Sequence, residues 1–206
     1  MKIYGDTNSG NCLKVKWVCD HLAIPYRWID VDTMQGGSRT PEFLQINPWG
    51  QVPTVVFDDG RALAQSNAII RYLARGSELL PQDAFAAAQM DAWLFWEQYS
   101  HEPYVATPRY IVKHLPPGHA RYAELPERLA KGRAALAVME THLSTRTFFV
   151  AERYTIADIA LYAYTHVAHE GGHDLSPYPS VRAWLARVAA QPRYVELTAS
   201  PKAARG

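Results

Sequence analysis

The sequence predicts a small α/β domain in the order βαβαββα, followed by an all-helical domain. Two observations carry this prediction. Strand-like and helix-like apolar spacings alternate up to about residue 76, whereas from about residue 84 only helical spacing remains. A chain of 206 residues fits one large domain or two small ones, and a hydrophobic fraction of 48% is enough to bury a core in each.

Each element has its own signal. Lys2 to Gly5 is a short apolar strand, and the stretch from Leu13 to Leu22 carries apolar residues at helical spacing. A second strand falls within residues 25–32. Thr40-Pro41 opens a short helix with proline in its first turn, and Asn47-Pro48-Trp49-Gly50 stops it. Residues 52–57 and 61–63 read as two strands joined by the turn Asp58-Asp59-Gly60. A helix with Ile69, Ile70 and Leu73 on one face follows, with Ser66 at the N-cap position, and Gly76 ends it. Residues 77–83 contain Pro81 and little periodicity, so the expected domains are 1–76 and 84–206 with 77–83 as linker. In the second domain, helices are expected over residues 84–113, 122–143, 155–170, 178–190 and 192–199, and the tail 200–206 is expected to be loose.

Composition narrows the function. With 21 basic and 20 acidic side chains the net charge is +1, which gives no field to hold a nucleic acid. No stretch approaches the roughly 20 apolar residues of a membrane helix, and the first ten residues lack the apolar core of a signal peptide, so a cytoplasmic protein is expected. Cys12 and Cys19 lie about 10 Å apart on one helix, too far for a disulfide, and reduced thiols suit that compartment.

The first strand hands over to the first helix at Ser9-Gly10-Asn11-Cys12, where unpaired N–H groups and a partial positive charge suit an anion, or where Ser9 simply caps the helix. His169-Glu170-Gly171-Gly172-His173 matches the letters of a zinc-protease string, but paired glycines break the unbroken helix such a site needs, so no metal is expected. Thr155 and Asp158, flanked by Tyr154 and Ile159, form a capping box with a hydrophobic staple, a folding signal.

Taken together, the Ser9-x-Asn11 junction, the run from Arg39 to Pro53, Gln65-Ser66-Asn67-Ala68-Ile69 and the helix start at Thr155 resemble the glutathione transferase family, in its bacterial cytosolic form with a hydroxyl residue at the first junction. The resemblance implies a thioredoxin-like first domain that binds glutathione as co-substrate and a helical domain that lines the pocket for a second substrate. It implies a cis Val52-Pro53 bond, with the Val52 backbone meeting the cysteinyl unit of glutathione, although only about one X–Pro bond in twenty is cis. Gln65 and Ser66 are then assigned to the γ-glutamyl end, with Asn67 less firmly placed. Gln51 and Arg39 are either contacts to the glycyl carboxylate or solvated side chains. Ser9 donates to the glutathione thiolate, with Asn11 as helper or substitute. Cys12 is a packing residue or the site of a mixed disulfide. Among the aromatic residues of the first long helix, Tyr99, His101 and Tyr104 line the second-substrate pocket, or His101 and Glu102 form a solvated or interface pair. A homodimer is implied. The expected reaction is conjugation of glutathione to an apolar electrophile, the alternatives being disulfide reduction, peroxidase chemistry or glutathione binding without catalysis.

The chemical requirement is to ionise a thiol of pKa about 8.5 at neutral pH. Lowering that value by two units takes about 2.7 kcal/mol. One hydrogen bond to a charged sulfur contributes about 1.5–3 kcal/mol and a helix amino end about 0.3–1 kcal/mol, so no general base is needed.

Overall fold

In the computed structural model, which describes residues 1–197, the backbone divides into two units: Met1–Leu80 together with the segment from Pro192, and Pro81–Gln191. The division at residue 80 lies inside the expected linker. The expected second domain of 84–206 differs at its end, because the segment from Pro192 groups with the first unit.

The first unit contains β1 (Lys2–Gly5), α1 (Gly10–His21), β2 (Arg27–Asp30), a 3-10 turn at Gly37–Arg39, α2 (Pro41–Ile46), β3 (Thr54–Val56), β4 (Ala62–Ala64) and α3 (Ser66–Leu73). The sheet order is β2-β1-β3-β4, with β1 and β2 parallel and the other pairs antiparallel. The crossover helix α1 is what allows β1 and β2 to run parallel. Ile3 pairs with Val55 across the sheet, and both are fully buried. The hairpin closes where Gly60, at φ +84°, donates its N–H to Phe57 O at 2.9 Å. Residues 192–197 do not continue as a helix: Pro192 has no N–H to donate and Arg193 sits at φ +60°. This segment instead places the Tyr194 ring edge-on to Trp17 at 5.2 Å, and the Arg193 guanidinium donates to the His21 carbonyl. The last two residues of the expected helix, 198–199, and the tail 200–206 lie outside the described residues.

The second unit contains α4 (Ala84–Trp96), a π-helical turn at Glu97–His101, α5 (Glu102–His114), a 3-10 turn at Ala120–Glu124, α6 (Leu125–Leu143), α7 (Ile156–Thr165), a 3-10 turn at Ala168–Gly171 and α8 (Pro179–Ala189). The expected single helix over residues 84–113 is therefore two, and its break has a cause. Pro103 lacks the N–H that would bond to the carbonyl of residue 99, and its ring crowds that carbonyl, so the ladder widens by one residue just before it. The helix expected to reach residue 170 stops at Thr165. The 3-10 turn that follows lies against α5 so closely that a Cβ on Gly171 would fall 2.6 Å from Arg109 N.

Asp158 ties this unit together. The capping box is complete: Thr155 Oγ1 accepts from the first-turn N–H groups and the Asp158 carboxylate accepts from Thr155 N at 2.9 Å. The same fully buried carboxylate accepts from Phe149 N at 3.3 Å, in the loop before α7, and from Trp184 Nε1 at 2.9 Å, on α8. Burial pushes its pKa up to about 6 against the pull of those donors. Removing the carboxylate strands three buried N–H groups at once. Asp158→Ala is expected to destabilise folding by about 3 kcal/mol and lower the melting temperature by about 6–12 °C, with Asp158→Asn, which keeps one acceptor oxygen, in between. Thermal unfolding followed by circular dichroism checks this, and an unchanged Asp158→Ala midpoint would remove the carboxylate from the folding argument.

Candidate functional site

The site is built from three segments of the first unit. At the start of α1, Ser9 has φ −86° and ψ 122°, the extended geometry of an N-cap, and its Oγ accepts from Cys12 N at 3.3 Å. Because the oxygen serves as acceptor, the Ser9 proton is left for a further partner. The first turn carries no acidic side chain that would cancel the helix field.

At the start of α3 the expectation is corrected. Ser66 is not the N-cap but the first helical residue; Gln65 occupies the cap position, at φ +69° and ψ 110°, and makes no side-chain cap bond. The Ser66 hydroxyl points elsewhere: buried to 5% exposure, it donates to Asn11 Oδ1 at 2.9 Å. The next residue repeats the pattern, with Asn67 Oδ1 accepting from Nζ of the buried Lys14 at 3.3 Å. Two successive residues of α3 thus hold Asn11 and Lys14, which lie one turn apart on α1, and the two helix amino ends are held side by side. In the first unit, α1 is capped by Ser9 and α2 by Thr40, whereas α3 has no side-chain cap.

The third segment is the loop from Asn47 to Pro53. Asn47, 2% exposed, donates from Nδ2 to Gln51 O at 2.9 Å and to Thr54 Oγ1 at 3.0 Å, and Thr54 Oγ1 also donates to Gln51 O at 3.0 Å. These bonds fix the backbone that leads into Val52-Pro53, whose peptide bond is cis. The Gln65 side chain reaches across to Gln51 Oε1 at 3.2 Å, and Arg39 Nη1 donates to Trp49 O at 3.2 Å, lying against Gly50. Ser9, Asn11, Gln65, Ser66, Gln51, Val52, Pro53 and Arg39 therefore form one connected run. Asn47 and Thr54 were not distinguished in the sequence as supports of this loop; their signal is burial of polar groups, which a single sequence does not display.

Cys12 and Cys19 are free thiols, and burial pushes both up to about 12. Cys12 Sγ accepts from Asp6 N at 3.4 Å. A thiol held protonated in the core is a packing group rather than a partner in a mixed disulfide.

In the second unit, Tyr99 is 84% exposed on the π-helical turn, whereas His101 is fully buried. Thr165 commits its proton to Leu161 O at 2.6 Å, so His101 Nε2, 2.9 Å from Thr165 Oγ1, is the donor of that pair. His101 is thus a core residue and does not line a pocket; helical spacing does not reveal on which side of the widened turn it falls. Tyr104 borders an open hollow of about 200 Å³ with Glu124, Glu127, Arg128 and Lys131, in which the charges already pair, Arg128 with Glu124 at 2.7 Å and Lys131 with Glu127 at 2.6 Å. The zinc-protease-like string is dispersed: Glu170 accepts from Arg109 and Lys113 at 2.8 and 2.7 Å, and His173 Nε2 contacts Tyr104 O at 2.9 Å. Among the described residues, no three His, Cys, Asp or Glu side chains are grouped to hold a metal ion.

Comparison with known proteins identifies the family. Residues 8–75 match the family model for the glutathione S-transferase N-terminal domain and residues 93–192 that for the C-terminal domain. A glutathione S-transferase structure from Pseudomonas fluorescens is 47% identical with a TM-score of 0.91, covering 95% of this chain and 98% of that one. A theta class glutathione S-transferase from Xanthomonas axonopodis, solved with glutathione bound, is 28% identical with a TM-score of 0.85 and 93% of each chain covered. A disulfide-bond oxidoreductase of Escherichia coli is 29% identical over 87% of this chain and 86% of its own length. The chain belongs to the glutathione S-transferase family of enzymes.

Proposed function

We propose that this protein ionises the thiol of glutathione beside the amino end of α1 and directs it onto an electrophilic carbon of a mostly apolar second substrate, as a cytoplasmic homodimer. The observation that carries the reading is the pairing of two helix amino ends, one capped by Ser9 and the other without a side-chain cap, through the buried Ser66–Asn11 bond. An uncapped amino end offers N–H groups to the carboxylate of a γ-glutamyl unit, and Gln65 stands beside it. Val52 then supplies its backbone to the cysteinyl unit, and Gln51 and Arg39 stand on the side of the glycyl carboxylate. The glutathione bound to the Xanthomonas relative supports the same ligand, and the two reduced cysteines support the compartment.

In the reaction, the thiol proton leaves to solvent as Ser9 O–H and the Asn11 amide nitrogen donate to the resulting anion. The sulfur forms a bond to carbon while the leaving group departs with its electron pair. Stabilising the anion is the whole catalytic task, and the residues present supply the required 2.7 kcal/mol or so through two charged hydrogen bonds and a helix end. Of the aromatic residues assigned to the second substrate, Tyr99 and Tyr104 retain accessible rings, and we assign that contact to them.

The self-association rests on α4. Phe85, Ala88, Ala92 and Phe95 share one exposed stripe of the helix, with Phe85 and Phe95 72% and 76% exposed. An uninterrupted apolar stripe of this length is expected to be covered by a second copy.

Assayed with glutathione, a chlorinated aromatic is expected to be turned over faster than hydroxyethyl disulfide; turnover of the disulfide alone would assign the protein to thiol–disulfide exchange, and turnover of neither, with glutathione bound, to a binding role. Ser9→Ala is expected to lower kcat about 10- to 100-fold, the value of one hydrogen bond to a charged group, with the glutathione KM nearly unchanged. A kcat equal to wild type would transfer the role to Asn11 alone. Light scattering should return twice the chain mass for the wild type and a single chain mass for Phe85→Asp/Phe95→Asp, and a monomeric wild type would end the dimer proposal.

A further inference from the structure

Pro108 lies inside α5 and has no N–H, so the carbonyl of residue 104, four positions back, loses its regular helix bond. That carbonyl instead lies 2.9 Å from Nε2 of His173, 69 residues further along the chain. A carbonyl only accepts, so Nε2 carries the proton and the imidazole is the donor. The His173 side chain thus stands in for the amide that residue 108 lacks.

The junction is crowded. A Cβ on Gly132 of α6 would fall 2.6 Å from Tyr104 O and would also strike the His173 ring. At this point α5, α6 and the loop after the 3-10 turn at Ala168–Gly171 meet, and His173 is 4% exposed there. Its other nitrogen, Nδ1, is buried with no hydrogen-bond partner among the described residues. A charged imidazole would bring a second N–H to a place that offers no acceptor. The carboxylates of the flanking segments are engaged elsewhere: Asp174 accepts from Ser176, Glu170 pairs with Arg109 and Lys113, and Glu124 and Glu127 pair with Arg128 and Lys131. Arg133 on α6 adds a charge of the same sign. Burial first, and then Arg133, hold the imidazole pKa below its ordinary value of 6.5 against the pull of Tyr104 O. The unfolded chain therefore takes up this proton at a higher pH than the folded one. The stability that His173 lends is complete above about pH 6.5 and is lost as the pH falls below it.

We infer that His173 is a positioning residue for Tyr104: in its neutral form it replaces the helix amide that Pro108 lacks and fixes the turn of α5 from which Tyr104 reaches the second substrate. The effect on the substrate rests on the contact assigned to Tyr104 above, whereas the hold on the carbonyl does not.

The test is a double-mutant cycle read by thermal unfolding, with the KM values of glutathione and of a chlorinated aromatic measured on the same proteins. His173→Phe, which keeps a ring and loses the donor, should lower the melting midpoint by about 2–4 °C and raise the KM of the aromatic about threefold or more, with the glutathione KM within about twofold. His173→Gln, whose amide nitrogen reaches as far as Nε2, should recover most of both. In a Pro108→Ala background, where residue 108 regains an N–H, His173→Phe should cost about half as much or less. Between about pH 7.5 and 5.5 the wild-type midpoint should fall about 2 °C further than that of His173→Gln. Equal costs of His173→Phe in the two backgrounds would overturn the inference. So would parallel pH curves, or an unmoved aromatic KM in His173→Phe where Tyr104→Ala raises it. If Tyr104→Ala itself leaves that KM unchanged, the assignment of Tyr104 to the second substrate falls and the positioning role with it, while the midpoint cycle still decides the hold of His173 on α5.

Discussion

The amino end of α3, which has no side-chain cap, is the constraint around which the first unit is arranged. A helix amino end in a folded chain has to satisfy its N–H donors, and the other two helices of the unit do so with their own side chains, Ser9 for α1 and Thr40 for α2. In α3 the cap position is given to Gln65 at a positive φ, and the hydroxyl that local sequence would assign to capping is spent on Asn11. Such an arrangement costs stability at the helix end and strain at Gln65. It leaves an amino end without a side-chain cap beside one that Ser9 caps.

Fixing those directions takes further polar groups. Asn47 and Thr54 hold the Gln51 carbonyl, Arg39 holds the Trp49 carbonyl, and Lys14 holds Asn67. Asn47, Thr54 and Lys14 act from buried positions, where a hydrogen bond is stronger and a missing one more costly than in water, whereas Arg39 acts from the surface. The second unit uses the same device for folding alone. Asp158 gathers the loop before α7, the start of α7 and Trp184 of α8 on one carboxylate, and its chemistry is that of an acceptor for donors that would otherwise be stranded.

What was legible in the sequence follows from how far each determinant reaches along the chain. The start of α2 needed only Thr40 and Pro41, the β3–β4 hairpin only Asp58-Asp59-Gly60, and the start of α7 only Thr155 and Asp158, all within a few residues. The candidate site residues were recognisable as a set through family resemblance, but their wiring was not. Ser66 and Asn11 are 55 residues apart, and nothing local to Ser66 says that its proton goes there rather than into its own helix. His101 misled for a related reason: the widened turn before Pro103 rotates it into the core against Thr165, 64 residues away, while leaving Tyr99 outside. The segment from Pro192 reads as a weak helix in isolation, and only the presence of Trp17 and His21 shows what it packs against.

A serine hydroxyl and an asparagine amide are not interchangeable donors to an anion. The Ser9 hydroxyl turns about a single bond, so its proton finds an anion wherever the oxygen is placed, and the cap bond from Cys12 N places it. An amide cannot adapt in that way, because its donor and acceptor edges are fixed in one plane and a half-turn replaces attraction by repulsion. The buried hydroxyl of Ser66 donates to one edge of the Asn11 amide, at Oδ1, so part of the cost of orienting that plane is met during folding.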